Sequence, residues 1–380
     1  MMPLAKTPPM GWNSWNTFGW NISEGLIKET AQAFEDRGLK AAGYEYLVLD
    51  DCWSLRQRNA DGKLVADPEK FPNGMKALSD CLHGRELKFG LYSCAGVLTC
   101  AEYPGSFEHE FADAQTFAEW GVDFLKYDYC NRPLNHDGKI LYRRMAMALR
   151  NCGRDILFSA CNWGHHEVEK WIRSSGAHMW RSTGDIVDNW ESVKSIAKSQ
   201  IGKECHGAPY CHNDMDMLVV GMRDNGTFVG GGGCTDEQYR THFSLWCMMN
   251  SPLMIGCDVR NMSDEAQAIL TNAELIALNQ DPEGRQPYVT RHWDWDDAGA
   301  HTFVKPLHDG SYAIGLFNLD DMSTKASVQF WDMGLPVASG YGFKLRDLWA
   351  REEVGVVKEG MNMQIDAYSC KVYRAELVKV

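Results

Sequence analysis

Eight short apolar runs, most of them closing on polar or acidic residues, recur between residues 10 and 258, and segments of helical periodicity separate them. The runs are MGWNSW (10–15), YLVLDD (46–51), KFGLYS (88–93), VDFLKYD (122–128), ILFSAC (156–161), MWRSTGD (179–185), a weaker one in HNDMDM (212–217), and PLMIGCD (252–258). Between them, EGLIKETAQAFEDRGLKAAG (24–43) spaces Leu26, Ala31, Phe34 and Leu39 at helical intervals, with Gly43 as the expected stop. FADAQTFAEWG (111–121) and GKILYRRMAMALRNCG (138–153) are patterned alike. Strand–helix alternation repeated eight times predicts an α/β fold of parallel βα units. The length suits a (β/α)8 TIM barrel, with a doubly wound sheet as the alternative.

After NQDPEGRQ (279–286) the pattern changes to short β-rich stretches such as HTFVKPL, SYAIGLFNL, ASVQFWDM, GFKLRDLW and CKVYRAELV. The expected organisation is a catalytic barrel over 1–286 and a small C-terminal antiparallel β-sandwich domain over 287–380. GGGG at 230–233 lacks the Lys-Ser/Thr of a phosphate-binding loop, so it reads as an ordinary loop.

Bulk properties narrow the partners. A net charge of −13 argues against nucleic acid, whose phosphates demand clustered Lys and Arg. The 14 tryptophans suit either a large core or the apolar faces of sugars. Thirteen cysteines are scattered without paired CxxC spacing, so no zinc site is expected. The opening MMPLAKTPPM has no apolar leader and no run is long enough to span a membrane. A cytoplasmic protein with mostly reduced thiols is therefore expected, and a homo-oligomer stays open.

Acids cluster at the strand ends: Asp50 and Asp51, Asp128, Asp185, Asp214 and Asp216, and Asp258. In a barrel those ends converge on one mouth. Any one of them could cap a helix. A ring of them beside Trp15, Tyr92, Lys126 and Arg181 suits a polyol ligand better. A bound metal is the rival reading, but Lys126 and Arg181 would repel a cation there, and His165 and His166 form no metal-binding motif. No metal or cofactor is expected. Two carboxylates at one mouth can cleave a glycosidic bond, one ionised and one protonated. Lys126 and Asp128 alternate on one strand face, so Lys126 is expected to lower the Asp128 pKa. Asp185 would lie across the mouth, with Arg181 four residues earlier on the same strand face and opposing a raised pKa.

These stretches resemble glycoside hydrolase family 27, the clan-D α-galactosidases and α-N-acetylgalactosaminidases. The likeness rests on TPPMGWNSWNTF (7–18), AAGYEYLVLDDCW (41–53), ADPEKFPNGM (66–75), KFGLYS, GSFEHEFADAQTFAEWGVDFLKYDYC (105–130), SACNWG (159–164), WRSTGDI (180–186), NDMDMLVVG (213–221) and IALNQDP (276–282), in the family's order. The resemblance implies a barrel with a C-terminal antiparallel β domain and a retaining, two-step hydrolysis of terminal α-D-galactosides. It implies Asp128 as nucleophile and Asp185 as general acid/base. Trp15 would line the sugar's apolar side, Asp50 and Asp51 would bind the 4- and 6-hydroxyls, Lys126 would reach O3 and O4, and Arg181 would lie near C2. Tyr92 and Asp216 would be lining or supporting groups. Cys161, Asn162 and Trp163 would face the substituent at C2. Cys100 and Cys130 would pair as a disulfide.

The departures bear on specificity. Asn162 stands where many family members have Glu, and His165, three positions on, is not small. That pair favours galactose over N-acetylgalactosamine, with α-N-acetylgalactosaminidase or β-L-arabinopyranosidase activity as alternatives. A non-catalytic galactose-binding protein is the remote one. HNDMD replaces the commoner WNDPD, and Cys52 has no partner cysteine in the first loop.

Overall fold

The computed structural model describes residues 4–227, 231–290 and 300–380. The eight predicted runs become eight parallel strands: β1 (Met10–Asn13), β2 (Tyr46–Val48), β3 (Lys88–Cys94), β4 (Phe124–Asp128), β5 (Leu157–Ala160), β6 (Met179–Arg181), β7 (His212–Asp214) and β8 (Leu253–Ile255). They lie in one sheet in the order β7-β6-β5-β4-β3-β2-β1-β8, so the doubly wound alternative falls. The last seam is closed beyond β7 by Leu218, which bridges Ile255; its N–H donates to Met254 O at 2.7 Å and its carbonyl accepts from Gly256 N at 2.9 Å.

Most strands are shorter than their apolar runs; β2, β6 and β8 leave the sheet before their acids, whereas β4 ends on Asp128 and β7 on Asp214. β6 stops at Arg181, so Asp185 sits on the following loop and not on the Arg181 strand face as expected. The helix expected over 24–43 covers only Glu24–Asp36. Ser23 Oγ starts it by accepting from Leu26 N at 3.2 Å. Gly38, at φ +72°, ends it, because that left-handed backbone needs no Cβ there. The other two predicted helices run over Glu110–Glu119 and Gly138–Asn151. Gly231 and Gly232 donate their N–H groups to Asp224 Oδ1 at 2.9 and 3.2 Å. Those amides serve a carboxylate of the chain itself.

The C-terminal region is antiparallel. β9 (Tyr288–Val289), β10 (His301–Pro306), β11 (Tyr312–Phe317), β12 (Thr324–Gln329), β13 (Tyr341–Asp347), β14 (Glu352–Val357), β15 (Gly360–Ile365) and β16 (Cys370–Lys379) form a sheet ordered β14-β13-β16-β11-β10-β9 and a β12-β15 ribbon. Val304, Ile314, Val328, Phe330 and Leu345 fill the space between them. Phe303, Phe317, Leu348 and Val372 instead join the barrel's core, so the two units share buried apolar surface. Lys305 is fully buried in that seam, where it donates to Asn250 Oδ1 and Leu278 O.

Candidate active site

At the mouth, a cavity of about 130 Å³ is bounded by Trp15 after β1, Asp50 and Asp51 after β2, Tyr92 on β3, and Lys126 and Asp128 on β4. Trp163, Arg181, Asp185 and Asp216 complete most of the wall from the later strands. Parallel register sets this up: Tyr92 lies beside Lys126 and Cys94 beside Asp128. Lys126 Nζ accordingly sits 5.4 Å from the Tyr92 ring centroid.

Asp50 organises the near wall. Its Oδ2 accepts from Lys126 Nζ at 2.8 Å and from Asn13 Nδ2 at 2.7 Å. Burial lowers the Lys126 pKa, but the opposing charges, Asp50 first among them, outweigh this and hold the ammonium above the ordinary lysine range. Asp51 Oδ2 accepts from Ala101 N at 3.0 Å and Oδ1 from Cys52 N at 2.8 Å. Burial still raises its pKa, since those bonds only partly offset it.

Asp128 ends β4 with its side chain turned inward, 6% exposed, its Oδ1 accepting from Tyr129 N at 2.9 Å. Burial pushes the carboxyl up to about 6, against Lys126 and the Tyr129 N–H, which draw it down. Lys126 lowers the Asp128 pKa as expected, but its ammonium is hydrogen-bonded to Asp50, and desolvation of Asp128 is the larger effect.

The far wall turns on Arg181. Its Nη2 donates to Asp185 Oδ1 at 2.8 Å and its Nη1 to Asp216 Oδ1 at 2.9 Å. Asp185 is 75% exposed at the rim. Desolvation raises its pKa, but the charge and hydrogen bond of Arg181 outweigh this and hold it below the usual carboxylate range. Asp216 has a left-handed backbone, φ +80°, which aims its Oδ2 at the Ile186 N–H, 2.7 Å away. Beneath it, burial lifts Asp214 to about 6.

The expected C2-side residues separate. Trp163 reaches the cavity from a turn with φ +58°. Gly164 lets that turn press on β6, because a Cβ there would stand 2.5 Å from Ser182 O. Cys161 lies below, in a small void shared with Lys126, Arg181 and Asp214. Asn162 is buried, its Nδ2 donating to His165 O at 2.8 Å, and does not line the cavity. Asp258 also stays outside, paired with Arg260 at 2.8 Å. Met217 and Ile186 line the cavity without having been anticipated, and Asn13 supports Asp50. A polar residue ending β1 was the available signal for Asn13. Cys100 and Cys130 are joined as a disulfide at the rim, and Tyr92 OH donates to Cys100 Sγ at 3.3 Å. Among the described residues the one group of ligating side chains close enough to share an ion is Cys100, Asp128 and Cys130, whose sulfurs form that disulfide. No helix among the described residues is long and apolar enough to cross a membrane.

Paired carboxylates in a barrel mouth, with cations and a tryptophan around them, define a glycoside hydrolase site. Residues 7–281 match the family model described as alpha galactosidase A, and residues 297–375 match the alpha galactosidase C-terminal beta sandwich domain. The chain belongs to the α-galactosidase family of glycoside hydrolases, family 27. It is 42% identical to an alpha-galactosidase of Cyamopsis tetragonoloba over 371 residues, 97% of this chain and 86% of that one. Alpha-galactosidase I from Mortierella vinacea superposes with a TM-score of 0.87 at 32% identity, covering 98% of this chain and 97% of that one. An α-galactosidase from Saccharomyces cerevisiae, solved with raffinose, gives 0.89 at 30%, covering 99% and 98%.

Proposed function

We propose that the chain hydrolyses terminal α-D-galactosides with retention, Asp128 acting as nucleophile and Asp185 as acid/base. The observation that carries this is the meeting of both carboxyl groups in one cavity, Asp128 on the wall it shares with the Asp50–Lys126 pair and Asp185 on the far wall beside Arg181. In the first step Asp128 attacks C1 while Asp185 protonates the leaving oxygen, giving a galactosyl-enzyme ester. In the second, Asp185 takes a proton from water, and the attacking oxygen releases Asp128. The Asp185 charge helps raise the Asp128 pKa, while Arg181 holds that of Asp185 below the usual range until Asp185 turns away from the guanidinium. Esterifying Asp128 removes its charge, so the Asp185 pKa falls as its task changes from acid to base. Arg181 keeps its bond to Asp216 and stays in place while Asp185 turns to the leaving group. Asp50, Asp51 and Lys126 bind ring hydroxyls, and Trp15 covers the sugar's apolar side.

Oligosaccharides ending in α-galactose, like the raffinose bound by the yeast relative, are the proposed substrates. A panel of nitrophenyl glycosides tests the sugar. Negligible α-galactoside turnover beside strong β-L-arabinopyranoside or α-N-acetylgalactosaminide turnover would overturn the assignment. Proton NMR of the first-formed sugar tests the stereochemistry: α-galactose is expected, and β-galactose would refute retention. A cytoplasmic setting would hold Cys100 and Cys130 as thiols and an exported one as the disulfide, so their redox state in fresh extracts reports the compartment.

A further inference from the structure

The residues ahead of β5, β6 and β7 meet at the barrel end opposite the mouth. There Ile156, Ala177–His178 and Pro209–Cys211 enclose a second cavity, of about 410 Å³. Three arginines reach it: Arg150 from the last turn of helix Gly138–Asn151, Arg154 and Arg173. Arg154 is occupied, its Nε donating to Val122 O at 2.8 Å and its guanidinium pairing with Asp123. Arg173 spends one N–H on Pro209 O at 3.0 Å. Arg150 makes no hydrogen bond or ion pair among the described residues. Its guanidinium lies directly over Gly176, where a Cβ would stand 2.1 Å from Nη2. Gly176, whose backbone is left-handed at φ +95°, leaves room for the guanidinium there.

His178 adds a neutral donor. Its Nδ1 accepts from Phe158 N at 2.9 Å, so the ring proton sits on Nε2, and that N–H finds no acceptor among the described residues. Asp155 is the one acid in the lining, against the uncommitted Arg150 and the partly committed Arg173. In a chain of net charge −13, such a cationic recess is out of keeping with the bulk. Leu149, Phe158 and Tyr210 give the rest an apolar wall.

We propose that this floor cavity binds a small phosphate monoester, its phosphate held by Arg150, Arg173 and the His178 Nε2–H and its organic body lying along Leu149 and Tyr210. Two guanidinium groups and one ring N–H suit the several oxygens of a tetrahedral dianion, and charge-assisted bonds of this kind are the strong ones. The volume exceeds what a bare phosphate needs, so the ester should bind more tightly than the inorganic ion.

Calorimetry on the full chain, with the mouth saturated by galactose, tests this with inorganic phosphate, glucose 6-phosphate and neutral glucose. Glucose 6-phosphate should bind, inorganic phosphate more weakly and glucose not at all. Arg150→Ala should weaken glucose 6-phosphate at least about tenfold, the equivalent of one charge-assisted hydrogen bond, while α-galactoside turnover reports that the variant is folded. In the unaltered protein the His178 ring resonances should move on titration with glucose 6-phosphate. Absence of binding, an affinity unchanged in Arg150→Ala, a His178 signal that stays still, or an equal response to sodium chloride at matched ionic strength would each overturn the proposal. Inorganic phosphate binding as tightly as the ester would remove the organic body from it.

Discussion

Lys126 Nζ is bonded to Asp50 Oδ2 at 2.8 Å, although Asp128 is the acid that shares its strand face. The lysine therefore acts on Asp128 through space, as a charge, while its hydrogen bond fixes Asp50, the carboxylate proposed to bind the sugar. One cation links both halves of the proposed chemistry.

Asp128→Asn should abolish turnover while leaving the fold intact, since Asn Oδ1 can still accept from Tyr129 N. The same change should stabilise the protein at neutral pH. A carboxyl raised from 3.8 to about 6 is a folded-state cost that appears as pH rises through that window and is complete above it. The gain should reach up to about 3 kcal/mol above pH 6 and vanish below about pH 4. Thermal melts across this range check it. Near-normal turnover would refute the nucleophile.

The acid limb of kcat/KM should fall near pH 6, where Asp128 must be ionised to attack. In Lys126→Met, the charge that draws the Asp128 pKa down is gone, so the limb should move to higher pH. A limb that stays still or moves to lower pH would separate Lys126 from Asp128 ionisation. The profile distinguishes this from the loss of affinity that removing a sugar ligand also causes.

Asp51→Asn should penalise galactosides more than β-L-arabinopyranosides, which lack the C6 hydroxymethyl group. One hydrogen bond to a charged group is worth about 1.5–3 kcal/mol, so the ratio of the two kcat/KM values should shift about tenfold or more. Equal losses on both sugars would place O6 elsewhere.

Reducing the Cys100–Cys130 bond, or the variant Cys130→Ser, should lower the melting temperature. A closed segment of 30 residues is worth about 3–4 kcal/mol in chain entropy. The neighbouring Ala101 N–H holds Asp51, so galactoside kcat/KM should fall as well. A loss of stability with unchanged kinetics would show that the loop keeps its place without the bond.

The barrel was legible because strands buried on both faces leave apolar runs, and because their C-terminal ends gather acids. Strand ends were read too long, since nothing in LVLDD marks where pairing stops. β7 was weak because its residues, His212, Asn213 and Asp214, are polar yet buried. β14 and β15 carry exposed, mixed residues with little alternation, and neither was expected. In the site, most of the wall followed from strand-end position and resemblance. The Lys126–Asp50 bond did not, because it joins residues 76 apart. Nor did the withdrawal of Asn162, which depends on the carbonyl of His165 turning back onto its side chain.

β16, the strand made by Cys370–Lys379, lies in the interior of its sheet, between β13 and β11, and its Val372 joins the core shared with the barrel. Assembly order follows from that placement. On the ribosome, β11 emerges with an open edge that its neighbour in the sheet cannot cover until Cys370–Ala375 have left the exit tunnel. A chain cut before Cys370 would therefore split the sheet down its middle, because β13 and β11 would lose the strand that joins them.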